Sequence, residues 1–124
     1  RIRQSQRASD QARKLVAQAE TAQGKRAELI AEARTLILDA LDKHPSDDYS
    51  WWFLAQVHLL EDRPAEAAQA AQRALLENPA WRHLSPTNRE SLGVSAELLD
   101  ALLRIDSFNR VWTSLAPADQ APAP

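Results

Sequence analysis

The chain has 124 residues with a formal net charge of −2; 44% of them are apolar, and none is cysteine or methionine. It is long enough to bury a core, and the absence of cysteine excludes disulfides and thiolate catalysis while leaving the redox compartment open. No apolar run in the sequence reaches the roughly 18 residues of a membrane-spanning helix. The missing initiator methionine predicts that the sequence begins inside a longer chain or after processing.

The charge is distributed unevenly along the chain. Residues 1–26 carry seven basic and two acidic side chains, a net charge of +5, whereas the rest carries −7. Such a basic arm is compatible with binding to nucleic acid or to an anionic membrane surface. It also fits a solvated helix face, or a linker after a removed transmembrane segment. We favour this second interpretation, because the arm lacks aromatic residues for base stacking and lacks a dense Lys/Arg cluster.

Two helices are predicted in the first third of the chain. Apolar residues at helical spacing indicate one helix over residues 1–22 and a second over residues 26–43. Gly24 is the expected break between them. The second helix should end at His44, because the residue before Pro45 is disfavoured in the α region.

The next two predicted helices form a tight pair. Ser46 is the expected N-cap of a helix that runs to about Glu61 and is apolar around nearly its whole circumference. A helix of that kind is buried or is covered by a partner. Asp62-Arg63 form the predicted turn, and Pro64 begins an alanine-rich helix that ends near Glu77.

The pattern changes after this pair. Residues 80–84 are predicted to be a connector. A helix that runs to residue 104 then starts at Ser85-Pro86 or at Thr87, and Thr87 with Glu90 has the spacing of a capping box. Ser107 is the expected cap of a last helix. The Ala/Pro tail, residues 116–124, is predicted to be disordered.

A repeat relates the second helix to the fourth. The residues Glu32, Ala33, Ala40, Leu41 and Pro45 recur 34 residues later as Glu66, Ala67, Ala74, Leu75 and Pro79. A 34-residue period is that of a helix–turn–helix repeat. The chain resembles the tetratricopeptide repeat (TPR) family, with one well-matched repeat over residues 48–81 and partial repeats on either side. The resemblance implies an all-α fold whose antiparallel helix pairs stack as a short solenoid.

The resemblance also implies a division of the chain. Residues 1–115 would form one TPR-like domain, made of an N-terminal basic helix (1–24), a repeat core (25–81) and C-terminal capping helices (82–115). Carried over residue by residue, the family's packing positions are Ala33, Ala40, Trp51, Leu54, Ala55, Ala67, Ala74 and Pro79. Of these, Trp51 and Leu54 are expected to be in the core and to point toward the paired helix. The chain departs from the family at Ala55 and Asp62, where glycine is usual, and at His58, where an aromatic is common.

TPR proteins bind peptides in a groove lined by the first helix of each pair. The corresponding residues here are Tyr49, Trp52, Gln56, Leu59 and Leu60. An apolar face of this kind needs either a partner or cover from the same chain, which the N-terminal helix or the helix over 87–104 would supply. We predict a partner segment, helical or extended, and keep intramolecular cover as the alternative. The basic, Asn-containing clamp with which some TPR proteins bind carboxylates is missing.

No constellation of residues predicts catalysis. His58 and Glu61 lie three apart on one predicted helix, so they could share a metal ion, but catalytic zinc takes three protein ligands and no third is evident. A core position for His58 is therefore the preferred hypothesis. The sequence has no Gly-rich phosphate loop and no nucleophile motif, and we predict no enzyme activity, cofactor or metal.

The predicted function is a protein–protein interaction scaffold. The chain resembles the TPR domains of bacterial membrane-anchored proteins used in envelope biogenesis, cytochrome maturation and exopolysaccharide secretion. Under this hypothesis it is a soluble domain at the cytoplasmic or periplasmic face of an inner membrane, and the sequence does not choose between them. The alternative is nucleic-acid or anionic-membrane binding through the basic arm. A small metal-dependent hydrolase is the third and weakest hypothesis.

Overall fold

The computed structural model describes the backbone of residues 2–21 and 25–115, and the side chains of residues 8–17 and 25–115. All regular structure within these ranges is helical, which confirms the all-α prediction. The elements are α1 (Ile2–Thr21), α2 (Arg26–Lys43), α3 (Asp48–Leu60), α4 (Pro64–Glu77), a 3-10 helix (Pro79–His83), α5 (Pro86–Ser91), α6 (Ala96–Leu103) and α7 (Asp106–Ser114). The predicted break at Gly24 and the predicted disorder of residues 116–124 lie outside the described residues.

The helices pack as two successive pairs with a C-terminal segment. The α1 helix packs along α2, and α3 packs along α4. The α3 helix also contacts both α1 and α2, while the 3-10 helix, α6 and α7 pack against α4. Buried residues from all of these elements join in one hydrophobic core. The two faces of α4 are thus both used, which its alanine content permits because small side chains let helices approach closely.

The alanines of the repeat are buried in both copies. Ala33, Ala67 and Ala74 have no exposed surface, and Ala40 is 4% exposed. Ala55 is also fully buried. The predicted packing positions on α2 and α4 are therefore interior positions. Pro79, the last of them, is exposed and begins the 3-10 helix directly after Asn78 ends α4.

Two serines mark the contact between α1 and α3. Ser9 and Ser50 are buried, with their Oγ atoms 3.1 Å apart. The Ser50 hydroxyl also donates to Oδ2 of the buried Asp47, at 2.7 Å. Asp47 occupies the N-cap position, so the predicted cap at Ser46 is one residue too early. Its carboxylate accepts from the Ser50 side chain rather than from a free backbone N–H.

The turn between α3 and α4 forms where it was predicted. Asp62 adopts a left-handed conformation with φ of 58°, a backbone region that glycine enters without a steric penalty. The Asp62 N–H donates to Leu59 O (3.0 Å) and the Arg63 N–H donates to His58 O (2.8 Å). These two bonds are the Schellman pattern that satisfies the last carbonyl groups of a helix. Aspartate tolerates this backbone region better than most residues because its short polar side chain bonds locally.

The predicted single helix over residues 87–104 is wrong. The chain breaks at Gly93, whose φ is +103°, and a second Schellman pattern closes α5 there. Ser85 caps α5 by accepting from the Asn88 N–H, so the Thr87–Glu90 capping box does not form. Ser95 caps α6 in the same manner. The last helix begins after Ile105 rather than after Ser107.

Candidate functional site

The predicted groove residues do not share one open surface. Trp52, the largest of them, is only 2% exposed and belongs to the core. The other four, Tyr49, Gln56, Leu59 and Leu60, are half-buried. The expectation that a partner contacts Trp52 is therefore corrected, because another part of the same chain already lies on this face of α3.

The cover is a cluster of aromatic side chains. We define the aromatic cluster as Tyr49, Trp52, Trp81, Phe108 and Trp112. The ring of Trp52 meets Trp81 at a centroid distance of 5.7 Å and Phe108 at 6.1 Å, both edge to face. Tyr49 meets Trp81 in the same way at 5.4 Å. Such pairs stabilise a fold beyond the effect of their buried area. Trp52 itself is covered by the 3-10 helix and α7, while the N-terminal helix, one of the two candidates named from the sequence, also packs against α3.

Asp48 anchors the first part of this cover. The indole Nε1 of Trp81 donates to Asp48 Oδ2 at 2.5 Å, and Asn78 Nδ2 donates to the same oxygen at 3.0 Å. Burial raises the pKa of the neighbouring Tyr49, and the carboxylates of Asp48 and Asp47 add to that effect. The start of α3 is thus joined to the connector by hydrogen bonds to a charged acceptor, which are stronger than neutral ones.

Two arginines hold the other end of the aromatic cluster. The guanidinium carbons of Arg82 and Arg89 lie 4.9 and 5.2 Å from the ring centroid of Trp112. Arg82 Nε also donates to the Trp112 carbonyl at 2.9 Å, and Arg89 Nη1 donates to the carbonyl oxygens of Trp81 and Leu84. These contacts join α7 to α5 and to the connector, so the two segments that cover Trp52 are also bound to each other.

One residue of the basic arm, Arg13, also contacts the C-terminal segment. A Cβ atom at Gly93 would lie 2.7 Å from Nη2 of Arg13, so this guanidinium reaches the turn between α5 and α6. Arg13 thus contacts the turn that leads into α6. The side chains of Arg1, Arg3 and Arg7 lie outside the described residues.

A second surface, on the other side of α3, remains open. We call it the α3–α4 groove; it is a depression of about 430 Å³ between the two helices. Its lining residues are Trp51, Leu54 and His58 from α3, with Glu66, Gln69, Ala70, Gln72, Arg73 and Leu76 from α4. Leu76 is 75% exposed, the highest value among the exposed large apolar side chains that the structure describes. The sequence pattern did not predict Leu76 as a surface residue. The one indication was that Leu76 directly follows Leu75, the last leucine of the 34-residue repeat, and is not itself a repeated position.

Trp51 forms one end of this groove. The sequence predicted a core position pointing toward the paired helix; the ring does face α4, but it is half-buried at the surface. Its Nε1 donates to Pro45 O at 2.8 Å, and the Arg73 guanidinium lies 5.1 Å from its ring centroid. Arg73 is also paired with Glu77 at 2.6 Å. Leu54, the other residue expected to point toward α4, is 4% exposed and lines the floor of the groove.

His58 lies at the polar end of the groove. It is half-buried, and its Nδ1 atom is buried without a hydrogen-bond partner among the described residues. Burial lowers the pKa of His58, although the carboxylates of Glu61 and Glu66 act in the opposite direction. Glu61 is engaged in an ion pair with Arg34 of α2. A depressed pKa keeps the imidazole neutral near pH 7.

Among the residues that the structure describes, no three His, Cys, Asp or Glu side chains lie close enough together to hold a metal ion. Within those residues, no helix has both the length and the apolar character to cross a membrane. The chain matches no protein-family model, and no curated protein or solved structure is significantly similar to it.

Proposed function

We propose that the chain is a protein-binding module whose α1–α4 helices form two repeats of a short TPR-like array. Two features support this architecture. The repeated positions Ala33/Ala67 and Ala40/Ala74 are buried in both copies, and a proline follows α2 and α4 at the same place in each copy. In this proposal the 3-10 helix, α6 and α7 take the place of a further repeat and close the array.

The single observation that carries the interaction function is the α3–α4 groove. Its apolar end combines Leu76, 75% exposed, with the half-buried ring of Trp51. Large apolar side chains that remain at the surface beside a concave region mark sites of protein interaction. Trp and Arg, both present here as Trp51 and Arg73, are also the residues enriched at interaction hot spots. Trp81 and Phe108 lie against Trp52, which favours the open α3–α4 groove over that face.

In the wider setting, we propose that the module works as a scaffold within a larger assembly. The resemblance to TPR domains of bacterial membrane-anchored envelope, assembly and secretion proteins supports that setting. The partner in this proposal is another protein, bound without a cofactor and without chemical change to either chain.

The test compares two leucines that are both exposed. The full-length protein is purified from its own cells in three forms: wild type, Leu76→Asp in the groove, and Leu38→Asp on α2, where Leu38 is 48% exposed. Co-purifying proteins are quantified by mass spectrometry. We expect specific partners to fall by at least about tenfold in Leu76→Asp alone, as for loss of a hot spot. Partners that survive both substitutions, or no partner at all, would count against the proposal.

A further inference from the structure

The two ends of the α3–α4 groove differ in character. Trp51 and the exposed Leu76 form an apolar end, and His58 with Glu66 forms a polar end. Residues 66 and 76 span ten positions of α4, which corresponds to about 15 Å along the helix axis. A trough of that length between two packed helices has the dimensions needed to accept about three turns of another helix.

The groove presents one uncompensated charge. Arg73 is already paired with Glu77 and lies over the ring of Trp51. Glu66 is exposed and forms no ion pair with the residues that the structure describes. The turn beside it adds no net charge, because Asp62 and Arg63 have opposite signs. A complementary ligand therefore carries a cation at the Glu66 end and apolar groups at the Trp51 end.

Resting on the proposed function, we propose that the α3–α4 groove binds an amphipathic helix of a partner protein. The helix places apolar side chains at i, i+3 or i+4, and i+7 against Leu54, Trp51 and Leu76, and a Lys or Arg against Glu66. This is recognition of a helix in a groove, in which spaced apolar anchors supply most of the binding energy. The cation sets the orientation of the helix and speeds its association.

Extended and proline-rich ligands fit this groove less well. An added β-strand needs a free sheet edge, and both walls of the groove are α-helices. Proline-rich peptides dock in grooves lined by several Trp, Tyr or Phe side chains, and Trp51 is the one residue of these three types in this lining. Its Nε1–H is also already donated to Pro45 O at 2.8 Å, so it is not available to a ligand.

A second copy of this chain is also a poor occupant. Within residues 8–17 and 25–115, the exposed large apolar side chains are Leu38 on α2, Leu76 on α4 and Leu92 directly after α5. No described helix therefore presents two exposed large apolar groups along one face. A helix that fills the groove must supply an apolar stripe, which this part of the chain does not offer to a neighbour.

The test uses a phage-displayed library of helices of about 20 residues, which exceeds the roughly 12–15 residues below which isolated helices are marginal in water. The scaffold is alanine-rich, and the positions along one face are randomised. Selection is performed on the immobilised wild-type protein, with Leu76→Asp protein as the counter-selecting bait. We expect enrichment of apolar residues at i, i+3 or i+4, and i+7, with Lys or Arg at one end.

Soluble peptides made from the enriched sequences are then titrated by fluorescence anisotropy. Affinity should fall at least about tenfold for Leu76→Asp and remain unchanged for Leu38→Asp, because only Leu76 lies in the groove. Glu66→Lys should weaken the basic peptide by about fivefold and favour a variant peptide with Glu in place of its basic residue. Unchanged melting temperatures of the protein variants establish that folding is not the cause.

Several results would overturn the helix proposal. One is that the selection enriches extended or proline-rich sequences. Another is that peptide affinity does not change in Glu66→Lys. A third is that the wild-type protein self-associates and Leu76→Asp abolishes this self-association. A selection that yields no Leu76-dependent binder also overturns it. The proposed function fails separately, since it depends on whether Leu76→Asp removes natural partners during purification of the full-length protein. Leu76-dependent partners without an enriched helix would therefore reject the ligand class and retain the module.

Discussion

The ring of Phe108 packs edge to face against the ring of Trp52, with a centroid distance of 6.1 Å. Only 2% of the surface of Trp52 is exposed. This contact joins α7 to α3 and places the C-terminal segment over the face where a TPR-like array would bind a peptide. It is the reason that the interaction surface proposed for this protein lies on the opposite side of α3.

Replacing Trp52 should damage the fold rather than binding. Trp52→Ala removes the centre of the aromatic cluster and is expected to lower the free energy of unfolding by about 3–5 kcal/mol. Trp51→Ala is the matched control; it loses one hydrogen bond and one cation–π contact and should cost only about 1–2 kcal/mol. Urea denaturation of both variants measures the difference. Equal costs for the two adjacent tryptophans would contradict the placement of Trp52 in the core.

Ala74 tests the close packing of α4. Because Ala74 has no exposed surface, Ala74→Leu must displace neighbouring helices and should lower stability by about 1–3 kcal/mol. Ala65→Leu, at an exposed position of the same helix, should change stability by less than about 0.5 kcal/mol. The two are compared by thermal unfolding. An unchanged melting temperature for Ala74→Leu would remove the support for the repeat register.

Gly93 combines a backbone requirement with a steric one. Its φ of +103° is unfavourable for other residues, and a Cβ would meet the Arg13 guanidinium at 2.7 Å. Gly93→Ala is expected to cost about 1–2 kcal/mol from the backbone conformation. In an Arg13→Ala background the steric part disappears, so the remaining loss reports the backbone alone. A Gly93→Ala protein as stable as the wild type would show that the break between α5 and α6 is not enforced there.

His58 should make stability depend on pH. Its pKa is lowered in the folded state by burial, despite the opposing carboxylates of Glu61 and Glu66 and with Arg63 and Arg34 adding to the decrease. As pH falls, the unfolded chain therefore binds the proton before the folded chain does. The stability that comes from the neutral His58 is complete above about pH 6.5 and decreases as pH falls through the unfolded pKa. His58→Gln should remove part of the loss measured by urea denaturation between about pH 7.5 and about pH 5. Identical pH profiles for both proteins would contradict the burial of the imidazole.

The nucleic-acid alternative is tested directly. Fluorescence anisotropy with labelled single- and double-stranded DNA and RNA should give no sub-micromolar binding at physiological salt, because the basic arm has no aromatic residue for stacking. A basic protein of similar size that binds nucleic acid is the positive control. Tight binding that weakens steeply with added salt would instead promote the arm to the principal functional surface.

The sequence by itself determined the first four helices and the turn that joins the central pair. The bounds of α2 and α4 and the turn at Asp62-Arg63 agree with prediction, because apolar spacing, Pro45 and Pro64 act locally. The repeat also located the buried alanines. Cap residues were less predictable: Asp47 and Ile105 hold the positions assigned to Ser46 and Ser107, and Ser85 caps α5, whereas the sequence left Ser85-Pro86 and Thr87 open as its start.

Only the tertiary structure decided the roles of Trp51 and Trp52. The two residues are adjacent on a helix that is apolar nearly all round, so periodicity cannot tell which one is covered. The choice depends on Trp81 and Phe108, which are distant in sequence and arrive over Trp52 through the 3-10 helix and α7. The same packing left Leu76 at the surface, because no described segment crosses the groove between α3 and α4.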